Sequence, residues 1–183
     1  MAGGGKLVVI DPIYTESAAK ATDWLQPWPG TDAALGLAML KVIVDEQLYD
    51  EDFVLNHTSL PFLVDASTGK LLRDHAEDPA AEEPETGDQN PFFVWDAAAG
   101  AKAPHTDAAV TPALEGTFTV DGTQCTTVFS LLKKKQASYT AEWAEGVSGV
   151  PADTIRELAR EYAEGPACLA LGWGGNDKMG NAD

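Results

Sequence analysis

The sequence is poor in basic residues. Its 183 residues include 12 lysines and arginines against 29 aspartates and glutamates, which gives a net charge of −17. The resulting negative potential repels nucleic acid and anionic lipid surfaces, so we expect no nucleic-acid partner. No apolar run approaches the roughly 20 residues that a bilayer-spanning helix needs. We therefore expect no direct membrane insertion.

Cysteine and histidine are also scarce. Cys125 and Cys168 lie far apart among apolar or β-prone residues, which argues against a disulfide framework and a Cys-x-x-Cys metal site. We expect both thiols to be buried. His57, His75 and His105 have no partner at metal-ligand spacing, and no nucleophile is paired with a base. The sequence thus predicts no metal ligand and no catalytic residue.

The first part of the sequence predicts strands that alternate with helices. The apolar, β-branched run before Asp11 is typical of a strand buried on both faces of a parallel sheet. Thr31 is a candidate capping hydroxyl for a helix that is apolar around most of its circumference. The first 57 residues predict a strand at 6–10, a crossover helix at 15–22, a strand at 24–28, a helix from 31 and a shorter helix to 57.

Residues 58–136 interrupt this pattern with short strands and turns. Ser67-Thr68-Gly69 and Asp121-Gly122 are hairpin-turn signals between apolar runs. Residues 74–90 carry seven acidic side chains and neither lysine nor arginine, which predicts a solvated loop. Further strands are predicted at 92–95, 116–120 and 126–129.

The helical pattern returns in residues 137–183. One short helix is predicted from Thr140 and another from Pro151 to Tyr162. Residues 167–171 predict a strand that leads into a glycine-rich loop. We therefore divide the chain into a first part at 1–57, a β-rich insertion at 58–136 and a continuation of the first part at 137–183. The glycine-rich ends lead us to expect a piece of a longer chain.

Three loops after predicted strands are candidate binding sites, because ligands of open α/β sheets bind beyond the carboxyl ends of the strands. In the first, Asp11 could accept hydrogen bonds from a ribose diol. It could equally be a turn-forming residue before Pro12. Both interpretations stay open at this point.

The second loop, Gly30-Thr31-Asp32, precedes a helix. A carboxylate at this position repels phosphate but matches adjacent N–H donors such as those of guanine. The alternative is that Asp32 only complements the helix dipole.

The third loop contains Gly172, Trp173 and Gly174, where a ligand could approach the backbone closely. It lacks the spacing of the Gly-x-Gly-x-x-Gly fingerprint, so ordinary NAD binding is not supported.

Several stretches, in this order, resemble the molybdopterin oxidoreductase family, whose type member is dimethyl sulfoxide reductase. The resemblance covers residues 6–55 and 137–183, whereas residues 58–136 look like a subfamily insertion. Its motifs are VIDPIYTESAAKATD from Val9, PGTDAAL from Pro29, LYDEDFV from Leu48, YTAEWA from Tyr139, GVPADTI from Gly149 and GWG from Gly172.

The resemblance implies an α/β fold, a Rossmann-like parallel sheet with flanking helices and a β-hairpin-rich insertion. This fold is implied to hold one of the family's two molybdopterin guanine dinucleotides with molybdenum. It places the ribose and phosphates near the first loop, the guanine at Asp32 and the third loop along the cofactor. The implied cofactor-binding residues are Asp11, Pro12, Thr15, Gly30, Thr31, Asp32, Gly172, Trp173 and Gly174. Ile13 stands where the family often has an arginine, and Asn176-Asp177 where it often has a Gln-Arg pair.

In the family, the iron-sulfur cysteines and the side chain that ligates molybdenum lie upstream of this region. For the full-length catalytic subunit, the resemblance therefore implies two-electron redox or oxygen-atom transfer, and for this segment alone it implies no activity. Implied partners are the rest of the parent chain and an electron-transfer protein. The parent is expected to be bacterial, periplasmic or cytoplasmic, with any membrane association through other subunits. The alternative is an autonomous, non-catalytic α/β module that contacts a partner protein.

Overall fold

The computed structural model describes residues 4–75 and 89–170. The chain divides into two compact units, which we call unit 1 (Met1–Tyr49 with Gln136–Asp183) and unit 2 (Asp50–Lys135). The helices are α1 (Asp32–Asp45), α2 (Glu51–His57), α3 (Val128–Lys135), α4 (Ala141–Ser148) and α5 (Ala152–Glu164), and the strands are β1 (Val8–Ile10), β2 (Asp23–Leu25), β3 (Leu63–Asp65), β4 (Phe93–Asp96), β5 (Ala101–Pro104), β6 (Thr117–Val120) and β7 (Thr123–Thr127). Our division of the chain at residues 57 and 136 stays a prediction.

The described residues of unit 1 form a pair of parallel strands and three α-helices. β1 pairs with β2 in a register that places Val8 opposite Asp23 and Ile10 opposite Leu25. α1 packs against both α4 and α5. Alanines dominate this interface, and small side chains let the helix backbones approach closely. The buried residues of this core are Leu25, Ala34, Leu35, Ala38, Ala141, Ala144, Val150, Ala152 and Ile155.

The connection between β1 and β2 contains less helix than the sequence predicts. Only Ala18–Lys20 form a 3₁₀ turn, within the expected helix at 15–22. Thr22 donates its N–H to the Leu7 carbonyl oxygen (2.7 Å) and accepts from the Leu7 N–H through Oγ1 (3.1 Å). These bonds draw the chain into an extended path beside β1, so the helix cannot continue.

The mixed α/β class is confirmed, but the described residues contain only two parallel strands. Residues 167–170 of the predicted strand at 167–171 have no regular structure and are exposed, and Leu171 lies outside the described residues. Cys125 is buried as expected, whereas Cys168 is exposed, contrary to expectation. Within the described ranges, every helix is too short or too polar to cross a lipid bilayer.

Unit 2 is built from antiparallel pairing. β3, β7 and β6 form one sheet in that order, and β4 pairs with β5. The hairpin predicted at Asp121-Gly122 is confirmed, since both residues have positive φ (50° and 84°) and Val120 pairs with Thr123 across the turn. The hairpin around Ser67-Thr68-Gly69 is also present, with a single bridge between Val64 and Leu71.

For unit 2, the sequence prediction places the end of one strand wrongly and misses another strand. The strand expected at 126–129 ends at Thr127, because the Thr127 hydroxyl accepts the Ser130 N–H (3.2 Å) and α3 begins at Val128. The strand β5 was not predicted, since alanine, lysine and proline favour strands little. Most of the acidic segment at 74–90 lies outside the described residues.

Candidate functional site

The first predicted loop is fastened to the end of β2. Asp11 donates its backbone N–H to the Leu25 carbonyl oxygen (3.1 Å), and its own carbonyl oxygen accepts from Trp24 Nε1 (2.9 Å). The Pro12 carbonyl oxygen accepts from Gln26 Nε2 (3.0 Å). The loop after β1 therefore lies beside the carboxyl end of β2, where the chain turns towards α1.

The Asp11 side chain forms a local turn and keeps a further acceptor. Its Oδ1 accepts the Ile13 N–H (2.8 Å), which is the turn-forming role. Within residues 4–75 and 89–170, Oδ2 has no hydrogen-bond partner. Asp11 and Pro12 are half-buried, whereas Ile13 is 69% exposed. One carboxylate oxygen thus fixes the loop while the other remains able to accept from a ligand.

Thr15 lies shortly before the 3₁₀ turn of Ala18–Lys20. Its Oγ1 accepts the Ala18 N–H (3.3 Å), and its carbonyl oxygen accepts the Ala19 N–H (3.0 Å). The side chain is half-buried. Its local role is structural, and its predicted contact with a cofactor stays a prediction.

The second loop reverses the chain at Gly30 and enters α1. Gly30 has a φ of +80°, which favours glycine, although an added Cβ would meet no atom within 4 Å. Thr31 occupies the position before the helix, but its hydroxyl donates to the Trp28 carbonyl oxygen (2.6 Å) and makes no capping bond. The capping prediction is therefore wrong: the backbone of Thr31 (φ −115°, ψ 14°) is not the extended conformation that a side-chain cap uses.

Asp32 is the first residue of α1 and is half-buried. In the part of the chain that the structure describes, the backbone N–H groups of Gly30 and Thr31 donate to no protein acceptor. The site therefore combines helix N-terminal donors with a carboxylate acceptor at the same turn. This combination suits a ligand that presents both acceptors and donors.

Sequence reasoning missed the support that this loop receives from α4. Trp28 donates its N–H to the Ser148 carbonyl oxygen (2.8 Å), and its ring packs against Gly149. Gly149 ends α4 with a φ of +76°. A glycine directly after a helical pattern signals a helix C-terminus, but its contact with Trp28 depends on tertiary packing.

The cations of unit 1 are largely engaged by carboxylates. Lys6 contacts Asp23 (2.6 Å) and Glu161 (2.6 Å), and the hydrogen bond to Asp23, followed by that to Glu161, raises the pKa of Lys6. Arg160 holds Glu46 through two bonds of 2.8 and 2.7 Å. Arg156 pairs with Glu142 and Asp153, and Lys41 with Asp45.

A groove of about 500 Å³ lies along β2 and α5, and none of the predicted site residues that the structure describes lines it. Gly172, Trp173 and Gly174 lie outside the described residues, so only the first two loops can be placed. Among residues 4–75 and 89–170, no group of three His, Cys, Asp or Glu side chains is suited to hold a metal ion.

Comparison with known proteins identifies relatives of the whole chain. The family model described as molybdopterin oxidoreductase matches residues 2–179. The alpha subunit of perchlorate reductase from Dechloromonas aromatica (strain RCB) is 34% identical, and the match covers 94% of this chain and 22% of that protein. The alpha subunit of chlorate reductase from Ideonella dechloratans is 34% identical over 92% of this chain and 19% of that protein.

A solved structure is also similar. Acetylene hydratase from Pelobacter acetylenicus aligns with a TM-score of 0.51 and 25% identity, covering 92% of this chain and 14% of that one. The chain thus spans only about a fifth of the length of the curated relatives it matches, or less. The same region recurs inside several much larger proteins.

Proposed function

The chain belongs to the molybdopterin oxidoreductase family, and from this premise we propose that it helps a catalytic subunit to hold one molybdopterin guanine dinucleotide. The observation that carries the proposal is the junction of two loops. The Asp11-Pro12 loop is hydrogen-bonded to the end of β2, and the chain leaving β2 turns at Gly30 to place Asp32 at the start of α1.

We assign guanine recognition to Asp32. Guanine presents an N–H and an adjacent amino group on one edge, and a carboxylate has two acceptor oxygens to match them. Adenine lacks this pair of neighbouring donors. Asp32 is half-buried, so hydrogen bonds there are less exposed to competition from water than on an open surface. Gly30 and Thr31 contribute the turn and the backbone donors beside it.

The first loop is assigned to the ribose and phosphates. Asp11 Oδ2 is the acceptor for a ribose hydroxyl, while Oδ1 keeps the loop in shape through Ile13. Pro12 fixes the path of the loop, and Thr15 lies one turn further along with its hydroxyl available as a donor. Gly172, Trp173 and Gly174 are proposed to lie along the same cofactor, on the strength of the family resemblance.

We further propose that β1 and β2 are part of a larger Rossmann-like sheet completed by other segments of the parent chain, with residues 1–57 and 137–183 in one domain and 58–136 as an insertion. Two strands alone rarely form a stable sheet, and parallel sheets are normally covered on both faces. A chain that spans about a fifth of its relatives leaves ample length for those strands.

The bound molybdenum-pterin group would supply the two-electron redox or oxygen-atom transfer chemistry of the full-length subunit. This chain's own residues bind and orient the nucleotide portion of that group. Two further components complete the proposal: an iron-sulfur cluster elsewhere in the parent chain, and a partner protein that transfers electrons.

The test is the isosteric substitution Asp32→Asn in the full-length subunit. The amide replaces an acceptor with a donor that faces the guanine donors, and hydrogen bonds to a charged group contribute about 1.5–3 kcal/mol. We expect the occupancy of this site to fall about tenfold or more, so that guanine nucleotide released by acid from the purified protein falls towards half of the wild-type amount per polypeptide.

The matched control is Asp153→Asn. Asp153 is also acidic and also lies in the first turn of a helix of unit 1, so it reports the loss of a favourable dipole interaction together with an exposed ion pair to Arg156 (2.7 Å). Equal guanine content in the two variants would refute the assignment.

A further inference from the structure

The loop that carries Asp32 is fastened to the end of α4 through Trp28. The Trp28 N–H donates to the Ser148 carbonyl oxygen (2.8 Å), and the Trp28 carbonyl oxygen accepts from Thr31 Oγ1 (2.6 Å). The indole ring lies against Gly149, where an added Cβ would come within 3.0 Å of ring atoms Cε2 and Nε1. The loop is therefore held by its backbone on both sides of Trp28 and by the ring itself.

Hydrogen bonds hold the end of α4 in place, and we call this end, Ser148 and Gly149, the anchor. Ser148 is fully buried, and its hydroxyl donates to the Ala144 carbonyl oxygen (2.7 Å) and accepts the Val150 N–H (3.2 Å). Gly149 donates its N–H to the Glu145 carbonyl oxygen (2.8 Å) with a φ of +76°. Glycine is thus favoured by the backbone conformation at this position, and a larger residue would also push the Trp28 ring away by a few tenths of an ångström.

We propose that Gly149 and Trp28 are positioning residues for guanine recognition, which hold the Gly30–Asp32 segment in register from the end of α4. The inference rests on the proposed role of Asp32. Trp28 is 58% exposed, so burial of a large side chain does not explain how closely one part of its ring packs on Gly149. Binding groups must be held to within about 0.5 Å of their working geometry, and Trp28 links the anchor to the segment that carries Asp32.

The primary test compares Gly149→Ala with Gly69→Ala in the full-length subunit. Gly69 has a φ of +68° and open space around an added Cβ, so both variants strain the backbone but only Gly149→Ala meets the Trp28 ring. The readout is guanine nucleotide retained per folded polypeptide after gel filtration, with folding checked by circular dichroism. We expect the occupancy of this one guanine site to fall about fivefold or more for Gly149→Ala, the range typical of coupled sites, and near wild-type retention for Gly69→Ala.

Trp28→Leu completes a double-mutant cycle. Removing the indole removes the overlap, so Gly149→Ala should reduce retention less in the Trp28→Leu background than in the wild type. Trp28→Leu alone should also lower retention, because the ring no longer fixes the loop. This exposed-site variant decides the matter if Gly149→Ala yields no folded protein, since unchanged retention would overturn the inference.

The outcomes separate the two proposals. Equal retention in Gly149→Ala and Gly69→Ala, or an equal effect of Gly149→Ala in both backgrounds, overturns the positioning role. If Asp32→Asn lowers retention in the same assay, guanine recognition by Asp32 still stands. If Asp32→Asn also has no effect, the proposed function fails as well.

Discussion

The cores of unit 1 and unit 2 are packed from different kinds of side chain. In unit 1, helices α1, α4 and α5 meet through alanines such as Ala38 and Ala144, both fully buried. In unit 2, ring pairs pack between different sheets: Phe62 before β3 stacks on Phe92 before β4 at 5.0 Å, and Trp95 of β4 stacks on Phe118 of β6 at 4.4 Å. A core of small residues should be sensitive to added volume and a core of aromatic residues to truncation.

The two units also differ in the chemistry they carry. All the predicted cofactor-binding residues that the structure describes lie in unit 1, from Asp11 to Asp32. In unit 2 the hairpins β4–β5 and β6–β7 pair locally, and β3 pairs with the distant β7. A change in unit 2 should therefore alter stability without altering nucleotide binding, whereas a change at the α4 end of unit 1 should alter both.

The largest expected effect is the truncation Phe129→Ala in unit 2. Phe129 is 2% exposed, and removing a buried phenylalanine side chain typically costs about 3–5 kcal/mol. Urea denaturation should show this loss, while guanine content per folded polypeptide should stay at the wild-type level. Phe53→Ala is the control, since Phe53 is 55% exposed in the same unit and should cost no more than about 0.5 kcal/mol. A fall in guanine content with Phe129→Ala would show that the two units are not independent in function.

The next effect in size is the enlargement Ala144→Leu in unit 1. Ala144 is fully buried, and extra methylene groups in a packed core cost about 1–3 kcal/mol. Displacing α4 should also shift the Ser148 carbonyl oxygen that holds Trp28, so guanine retention should fall together with stability. Gly146→Ala on the same helix is the control, because an added Cβ there meets no atom within 4 Å. Loss of stability with full retention would contradict the link from α4 to the loop.

The smallest expected effect is a pH dependence of the free energy of unfolding, to which each unit contributes for a different physical reason. In unit 1 the Arg160 guanidinium lowers the pKa of Glu46, and in unit 2 the Ser67 hydroxyl, followed by the Ser67 N–H, lowers the pKa of Asp65. A depressed carboxyl pKa stabilises the folded state fully above the ordinary values of 4.5 and 3.8, and that stabilisation is lost as the pH falls through the folded values.

Carboxyl titration by carbon NMR should separate the two causes. Arg160→Gln should raise the pKa of Glu46 and leave that of Asp65 unchanged. Ser67→Ala should raise the pKa of Asp65 and leave that of Glu46 unchanged. In about 1 M salt, where the screening length is roughly 3 Å, the exposed Glu46 should move towards its ordinary pKa more than Asp65. If salt shifted both carboxyls equally, the contrast between ion pair and local hydrogen bond would be wrong.

Local signals predicted much of the fold. The apolar β-branched run before Asp11 marks β1, and the alanine-rich pattern after Thr31 marks α1. Asp121-Gly122 predicts a two-residue turn because both residues tolerate positive φ, and the turn is there. Each of these signals acts within a few residues of the element it predicts, which is why sequence alone reveals it.

Other features depended on partners distant in sequence. Thr31 has the residue type of a helix cap, yet its hydroxyl donates to Trp28, whose N–H is held by Ser148 some 120 residues later. The short turn between β1 and β2 follows from Thr22 pairing with Leu7. The sequence also did not predict that Cys168 is exposed, because the apolar run around it has the composition of a buried strand.

By itself the sequence determined the residue types of the binding loops, the glycine at the turn before α1 and the family to which the chain belongs, since these are properties of local order along the chain. Only the tertiary structure decided that the Asp11-Pro12 loop joins the end of β2 and that the end of α4 supports the loop carrying Asp32. Hydrogen bonds and close packing between distant segments form only when folding has brought those segments together, so no local pattern records them.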